Sequence, residues 1–345
     1  MERKNNYDAI DFAKFVGSIL VISIHSNALN GISPLAGLFV CGGIARLAVP
    51  FFFTCSAFFF FKKGTEKEIT KTYCKRILTL YLSWFVVTLP ITVFERFFLS
   101  ETPFLKSLLS FVQSAFLSST FSGSWFLTSC VFCAWLFFFV EKRKIPRAVV
   151  LIVCAAEYLF CCLSSAYGNL IPKLGLSGAY EAYRTIFLNP YTSIIVGVSY
   201  FALGKHFAEC EKKERFLLSV KSTRVCLSVS LLLFLGEIYL CGKLSLSRTT
   251  DCYLTLFPCA AFLFSLAVRS KAKIKHALLF RKISTVFFFA HFIWLFCFRV
   301  FERLSKIPIA AHFKFLGALA LCVLTAEIFF ALEKTKRFAW IKNFY

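Results

Sequence analysis

Apolar runs near twenty residues long recur ten times along the chain, at about 10–30, 39–61, 77–97, 125–140, 147–166, 187–207, 222–242, 252–269, 283–301 and 313–332. A hydrocarbon core of ~30 Å takes about twenty helical residues to cross, so each run is a candidate span, with 125–140 the shortest. In lipid every backbone amide must find its partner within the segment, and the alternating pattern of a β-barrel is absent, so helix is the economical choice. The segment 104–121 is mildly amphipathic and reads as a re-entrant or interfacial helix. The expectation is an all-α polytopic membrane protein with about ten transmembrane helices, residues 1–345 forming one domain.

Charge tests that count. The chain carries 40 Lys and Arg against 18 Asp and Glu, a net charge of +22. A soluble protein with that excess would suggest nucleic acid, but the cations here fall in alternate segments. With the N-terminus inside, every inside segment holds two to six Lys or Arg, beginning with Arg3 and Lys4, and no outside loop holds more than two. A wrong number of spans would scramble this alternation, so the pattern predicts an N-in, C-in chain obeying the positive-inside rule and no nucleic-acid partner. The 58% hydrophobic content excludes a soluble enzyme and a disordered tail. Most of the fifteen Cys lie in apolar runs, where Cys acts as a small hydrophobe, and Cys130 with Cys133 makes a lone CxxC without the second pair that structural zinc requires. No disulfide framework, cleavable signal peptide or internal repeat is legible. The Phe runs Phe51–Phe53, Phe58–Phe61 and Phe287–Phe289 read as lipid-facing bulk, and Trp84, Trp125 and Trp340 as interfacial anchors.

Ionisable groups inside spans are costly and therefore informative. At ~100° per residue, Lys14 and His25 differ by ~20° around the first helix, with Ser18 ~20° and Asp11 ~40° from His25. One face thus carries Asp11, Lys14, Ser18 and His25, against Phe, Val, Ile and Leu elsewhere. Asp11 and Lys14 lie near the inner end, where an anchoring role suffices. His25 lies ~21 Å further along, where an imidazole suits proton transfer near neutral pH. Arg46 lies deeper than the other inner cations, Lys75 and Arg76 satisfy the positive-inside rule by themselves, and His291 sits mid-span with Trp294 three residues on.

These residues resemble the membrane acyltransferase-3 family. Ile10-Asp11-x-x-Lys14 followed by His25 is similar to its opening signature, and Arg46-Leu47-Ala48-Val49-Pro50-Phe51-Phe52 with Ser56 to the segment ending its second span. Lys75-Arg76-Ile77-Leu78, Ser124-Trp125-Phe126-Leu127 and Ile283-Ser284 with Ala290-His291-Phe292 resemble later family segments in the family's order. Lys14 stands where the family usually has Arg, keeping the charge but losing the planar fork. Thr79 stands for a second Arg, and Ala57 for a Gly.

The resemblance implies an integral membrane O-acyltransferase, acetyl-CoA or another acyl-CoA serving as donor substrate with no bound cofactor. The acceptor it implies is a hydroxyl of a cell-envelope carbohydrate or related lipid-linked molecule. It implies a multi-pass protein of a bacterial plasma membrane, in contact with membrane lipid. His25 becomes the candidate general base or acyl carrier, with Asp11, Lys14, Arg46, Arg76, Trp125 and His291 as candidate substrate- or donor-binding residues. A carboxylate such as Glu95 or Glu157, brought from another span, is a candidate partner for His25. A transporter or exporter whose polar path is lined by the first span is the alternative, and a non-catalytic sensor or assembly protein a third reading.

Overall fold

The computed structural model describes residues 7–100 and 102–345, so Arg3 and Lys4 lie outside the described residues. Fourteen α-helices follow in chain order: α1 (Asp8–Ser26), α2 (Pro34–Val40), α3 (Ala48–Lys63), α4 (Lys67–Val93), α5 (Phe104–Leu117), α6 (Trp125–Lys142), α7 (Arg147–Ser164), α8 (Leu170–Lys173), α9 (Ser177–Phe187), α10 (Val198–Lys212), α11 (Val220–Lys243), α12 (Leu256–Arg269), α13 (Ala277–Ser305) and α14 (Ala311–Glu333). Among the described residues there is no strand. A 3-10 turn, Ile44–Leu47, leads into α3, a π-turn, Phe94–Phe98, ends α4, and a 3-10 stretch, Lys336–Phe344, follows α14.

Among the described residues eight helical segments are long and apolar enough to cross a membrane, the segment Pro34–Lys63 counting as one. Eight of the ten expected spans correspond to them. The other two form shorter helices. The expected 187–207 run is interrupted by a short 3-10 turn at Pro190–Thr192, and regular helix resumes only at Val198. The expected 252–269 run becomes the 14-residue α12, about 21 Å long at 1.5 Å per residue. The amphipathic 104–121 segment is the 14-residue α5, with Phe104, Leu105, Leu109 and Phe116 exposed.

The described chain clusters into two compact units. The first takes the chain up to Phe52, Leu218–Ile238 and Thr255–Tyr345. At its heart α1 and α13 lie side by side and run parallel, as the ring pairs Phe15–Phe280 at 4.8 Å, Phe15–Phe287 at 5.9 Å and His25–Phe292 at 4.6 Å ascend together. Both α12 and α14 pack on α1. Gly17 lets α3 approach: a Cβ there would stand 2.9 Å from Phe52 Cε1 and 3.4 Å from Ala48 Cβ. The second unit takes Phe53–Leu217 and Tyr239–Leu254. Within it α4 packs on α6 and α7 on α10. Ser129 Oγ donates to the Ile194 carbonyl at 2.8 Å and accepts from Gly197 N at 3.2 Å, tying α6 to the turn before α10.

The aromatic runs are placed against expectation. Phe51–Phe53, Phe58, Phe60 and Phe287–Phe289 are buried in protein, with Phe59 and Phe61 half-buried. Trp84 is wholly buried as well, so it is a packing residue and no interfacial anchor, whereas Trp340 is exposed. Lipid tails are as apolar as Phe, so hydropathy does not separate lipid-facing from protein-facing rings. Packing contacts decide.

Candidate active site

The site is built on α1 and α13. The first turn of α1 carries Asp8 and Asp11, favourably placed at the positive end of the helix dipole. Asp11 is buried and receives a two-pronged bond from Arg281 of α13, Nε to Oδ1 at 2.8 Å and an NH2 to Oδ2 at 2.7 Å. Asp8 accepts from Ile274 N at 2.9 Å. These bonds fix the register of the two helices, so what lies further along α1 meets a defined level of α13. Ser18 is buried too, its hydroxyl donating to the Phe15 carbonyl of its own helix at 2.7 Å.

α1 then stops. Asn27 adopts the left-handed conformation at φ 52°, its N–H bonding Ile24 O at 3.2 Å while Ala28 N bonds Ser23 O at 3.1 Å. This is a Schellman closure, which satisfies the last carbonyls without continuing the helix. The expected 10–30 span thus ends at Ser26, and His25 occupies its last turn. The next helix, α2, opens with Pro34 at its first position and Ser33 Oγ capping Ala36 N at 3.3 Å.

His25 reaches α13 at its middle. Its ring lies 5.3 Å from that of His291 and 4.6 Å from that of Phe292, centroid to centroid. His291 is ten residues, ~15 Å, beyond Arg281 and eight residues, ~12 Å, before Arg299, at the centre of the uncharged stretch of α13. His25 is therefore level with the centre of that uncharged stretch, and it is exposed, as are Asn27 and Asn30 after it. Non-helical backbone at membrane depth is tolerated where it is enclosed by protein or lines a wet cavity.

Arg46 lies on the 3-10 turn that packs on α1, within electrostatic reach of His25. His291 is fully buried, its Nδ1 2.8 Å from the Phe287 carbonyl. Lys14 is half-buried on α1. The first unit thus brings His25 against His291, with Arg46 within electrostatic reach of His25, and Asp11 against Arg281. Arg76 and Trp125 belong to the second unit: Arg76 is exposed on α4, and Trp125 begins α6, its N–H bonding Ser119 Oγ at 3.1 Å. Glu95 and Glu157 are in the second unit as well. The Glu157 carboxylate is taken up by Ser199, through both its hydroxyl and its N–H, and by Cys161 Sγ at 3.1 Å. Arg281 and Ser199 were not singled out from sequence. Arg281 reads as one more inner cation, and nothing in the spacing links it to Asp11. Among the described residues no cluster of His, Cys, Asp or Glu is arranged to hold a metal.

The first unit thus sets an exposed imidazole against a buried second one, with a guanidinium within electrostatic reach of the first. The family model described as an acyltransferase domain matches residues 7–329, a range that includes α1 and His291. The chain belongs to this acyltransferase family. The chain is also similar, at 22% identity, to a protein of Enterococcus faecalis named amino-acid racemase, over 79% of its own length and 37% of that protein's. It thus spans little more than a third of that relative. No solved structure matches the chain. With its apolar spanning helices, it is a multi-pass membrane protein.

Proposed function

We propose that the protein is an O-acyltransferase of a bacterial envelope membrane that moves an acyl group, acetyl in the simplest case, from acyl-CoA to a hydroxyl of a carbohydrate or lipid-linked acceptor. The observation that supports this reading best is the placement of His25: an exposed imidazole level with the centre of the uncharged stretch of α13, against His291 and within electrostatic reach of Arg46.

In this reading His25 is the general base. The acceptor hydroxyl gives its proton to the imidazole and its oxygen attacks the thioester carbonyl. The carbon–sulfur bond breaks, and the proton passes from His25 to the departing thiolate. Arg46 supports the negative charge that develops on the carbonyl oxygen. Lys14 is assigned to the phosphates of the donor, where ionised donors make the stronger hydrogen bonds, and Arg76 and Trp125 are carried as candidate binding residues of the second unit. Asp11 acts indirectly: its carboxylate locks α1 to α13 through Arg281.

The test is thiol release from acetyl-CoA by purified protein in lipid nanodiscs, with envelope glycans as acceptor and mass spectrometry for the gain of one acetyl group. Wild type is expected to turn over. His25→Gln keeps size and hydrogen bonding but exchanges no proton near neutral pH, so it is expected to lose about 10²–10⁴-fold in rate, the usual contribution of a positioned base. A Gln variant that inserts normally and turns over at the wild-type rate would end the assignment.

A further inference from the structure

We propose that His291 is the positioning residue of His25, holding its imidazole in the one tautomer and orientation that leaves a bare nitrogen for the acceptor hydroxyl. The inference rests on the reading of His25 as base.

It starts from the hydrogen on His291. Nδ1 is 2.8 Å from the Phe287 carbonyl, and a carbonyl only accepts, so Nδ1 carries the N–H. In a neutral ring Nε2 is then a pure acceptor. That nitrogen is buried and meets no hydrogen-bond donor. A buried acceptor without a donor is destabilising, so folds retain one where something comes to use it. Two rings lie against His291: Phe292 at 3.9 Å, which has no polar hydrogen, and His25 at 5.3 Å, which has one. At a centroid separation of 5.3 Å, a turn of the His25 ring brings an N–H within bonding reach of Nε2, a bond that is open in this structure. His25 is exposed, so its side chain has room to turn and close the bond. Catalytic hydrogen bonds are often long before substrate binds and tighten in the complex.

The consequence is chemical. A free imidazole exchanges its proton between two nitrogens and presents the wrong one part of the time. Pinned by His291 Nε2, His25 keeps its hydrogen on the inward nitrogen and its lone pair outward. The same bond supports the positive charge that His25 gains on taking the acceptor's proton. The logic is that of any base oriented by a third group. Here that group is neutral and fixed by the backbone of its own helix.

Two substitutions and one spectrum test this. His291→Phe fills the space and offers no acceptor. His291→Gln offers an acceptor and a donor in roughly the same place. The expected order of kcat is wild type, then Gln, then Phe, with Phe lower by roughly 10–100-fold, the usual loss when an orienting partner is removed. KM for donor and acceptor is expected to stay unchanged. The chain has five histidines, so a 15N spectrum of histidine-labelled protein is assignable with the His25→Gln and His291→Gln variants. It should show His25 in a single tautomer in wild type and in mixed tautomers in His291→Phe. Wild-type kcat in His291→Phe overturns the proposal, as does a mixed tautomer of His25 in the wild type, a measurement that decides even where the Phe variant fails to fold. If His25→Gln is inactive while His291→Phe is fully active, the positioning role alone fails. If His25→Gln is active, the base assignment fails first.

Discussion

Asp11 and Arg281 stand 270 positions apart in the chain and meet as a two-pronged ion pair. The carboxylate is buried while the guanidinium keeps nearly half of its surface exposed, so the two partners are not equivalent. Removing Arg281 strands a buried acceptor. Arg281→Leu is therefore expected to lower stability in detergent by about 1–3 kcal/mol, and Asp11→Leu added to Arg281→Leu is expected to recover part of that loss. Thermal unfolding followed by tryptophan fluorescence reads both, and a double variant no better than Arg281→Leu would show that the pair does not set the register of α1. For Arg46 the expectation is functional. Arg46→Ala should raise the donor KM or lower kcat while the acceptor KM holds, and Michaelis parameters equal to wild type would remove the residue from the site. Arg76→Ala should raise the donor KM alone, and an unchanged value would leave that cation to the positive-inside rule.

At the level of helices, the close seat of α3 on α1 depends on Gly17. A side chain there meets the Phe52 ring and Ala48, and overpacking of this kind costs about 1–3 kcal/mol. Gly17→Leu is expected to reduce the yield of folded protein, with Phe52→Ala restoring part of it. Equal yields for wild type and Gly17→Leu would mean that α3 yields freely. The helices also show how far sequence carried. Their existence and most of their positions followed from apolar runs, and the stripe of Asp11, Ser18 and His25 followed from helical periodicity, because a polar group in a greasy helix has few places to go. The end of α1 at Ser26 did not follow: Asn27 to Asn30 mixes apolar and amide residues, and only the left-handed turn at Asn27 makes it a stop. The burial of Phe51–Phe53 and Phe287–Phe289 did not follow because a helix apolar on all sides carries no sign of which side meets lipid. The approach of the His25 ring to that of His291 needed the register that Arg281 imposes, a long-range fact invisible to spacing.

For the whole molecule, the expected N-in, C-in arrangement makes a direct prediction. Reporters fused after Lys63, Lys144, Lys213 and Lys273 should read cytoplasm, and reporters after Lys106, Lys173, Lys243 and Lys306 the outside. The two helices shorter than expected, Val198–Lys212 and Leu256–Arg269, make Lys213, Lys243 and Lys273 the decisive positions. If either helix fails to cross, the reporters beyond it read the opposite side, and the ten-span count falls with them.

The early end of α1, which leaves His25 level with the middle of α13, has an electrical consequence. A charge carried to half depth from either side crosses about half of the voltage across the membrane. One elementary charge taken through ~100 mV exchanges about 2.3 kcal/mol with the field, so half of that drop is worth about 1 kcal/mol, or roughly a fivefold change in how often the imidazole holds a proton. Acyl transfer in proteoliposomes should therefore respond to an imposed potassium-diffusion potential, and the sign of the response reports from which side His25 exchanges its proton. A rate indifferent to voltage would mean that this imidazole exchanges its proton outside the field.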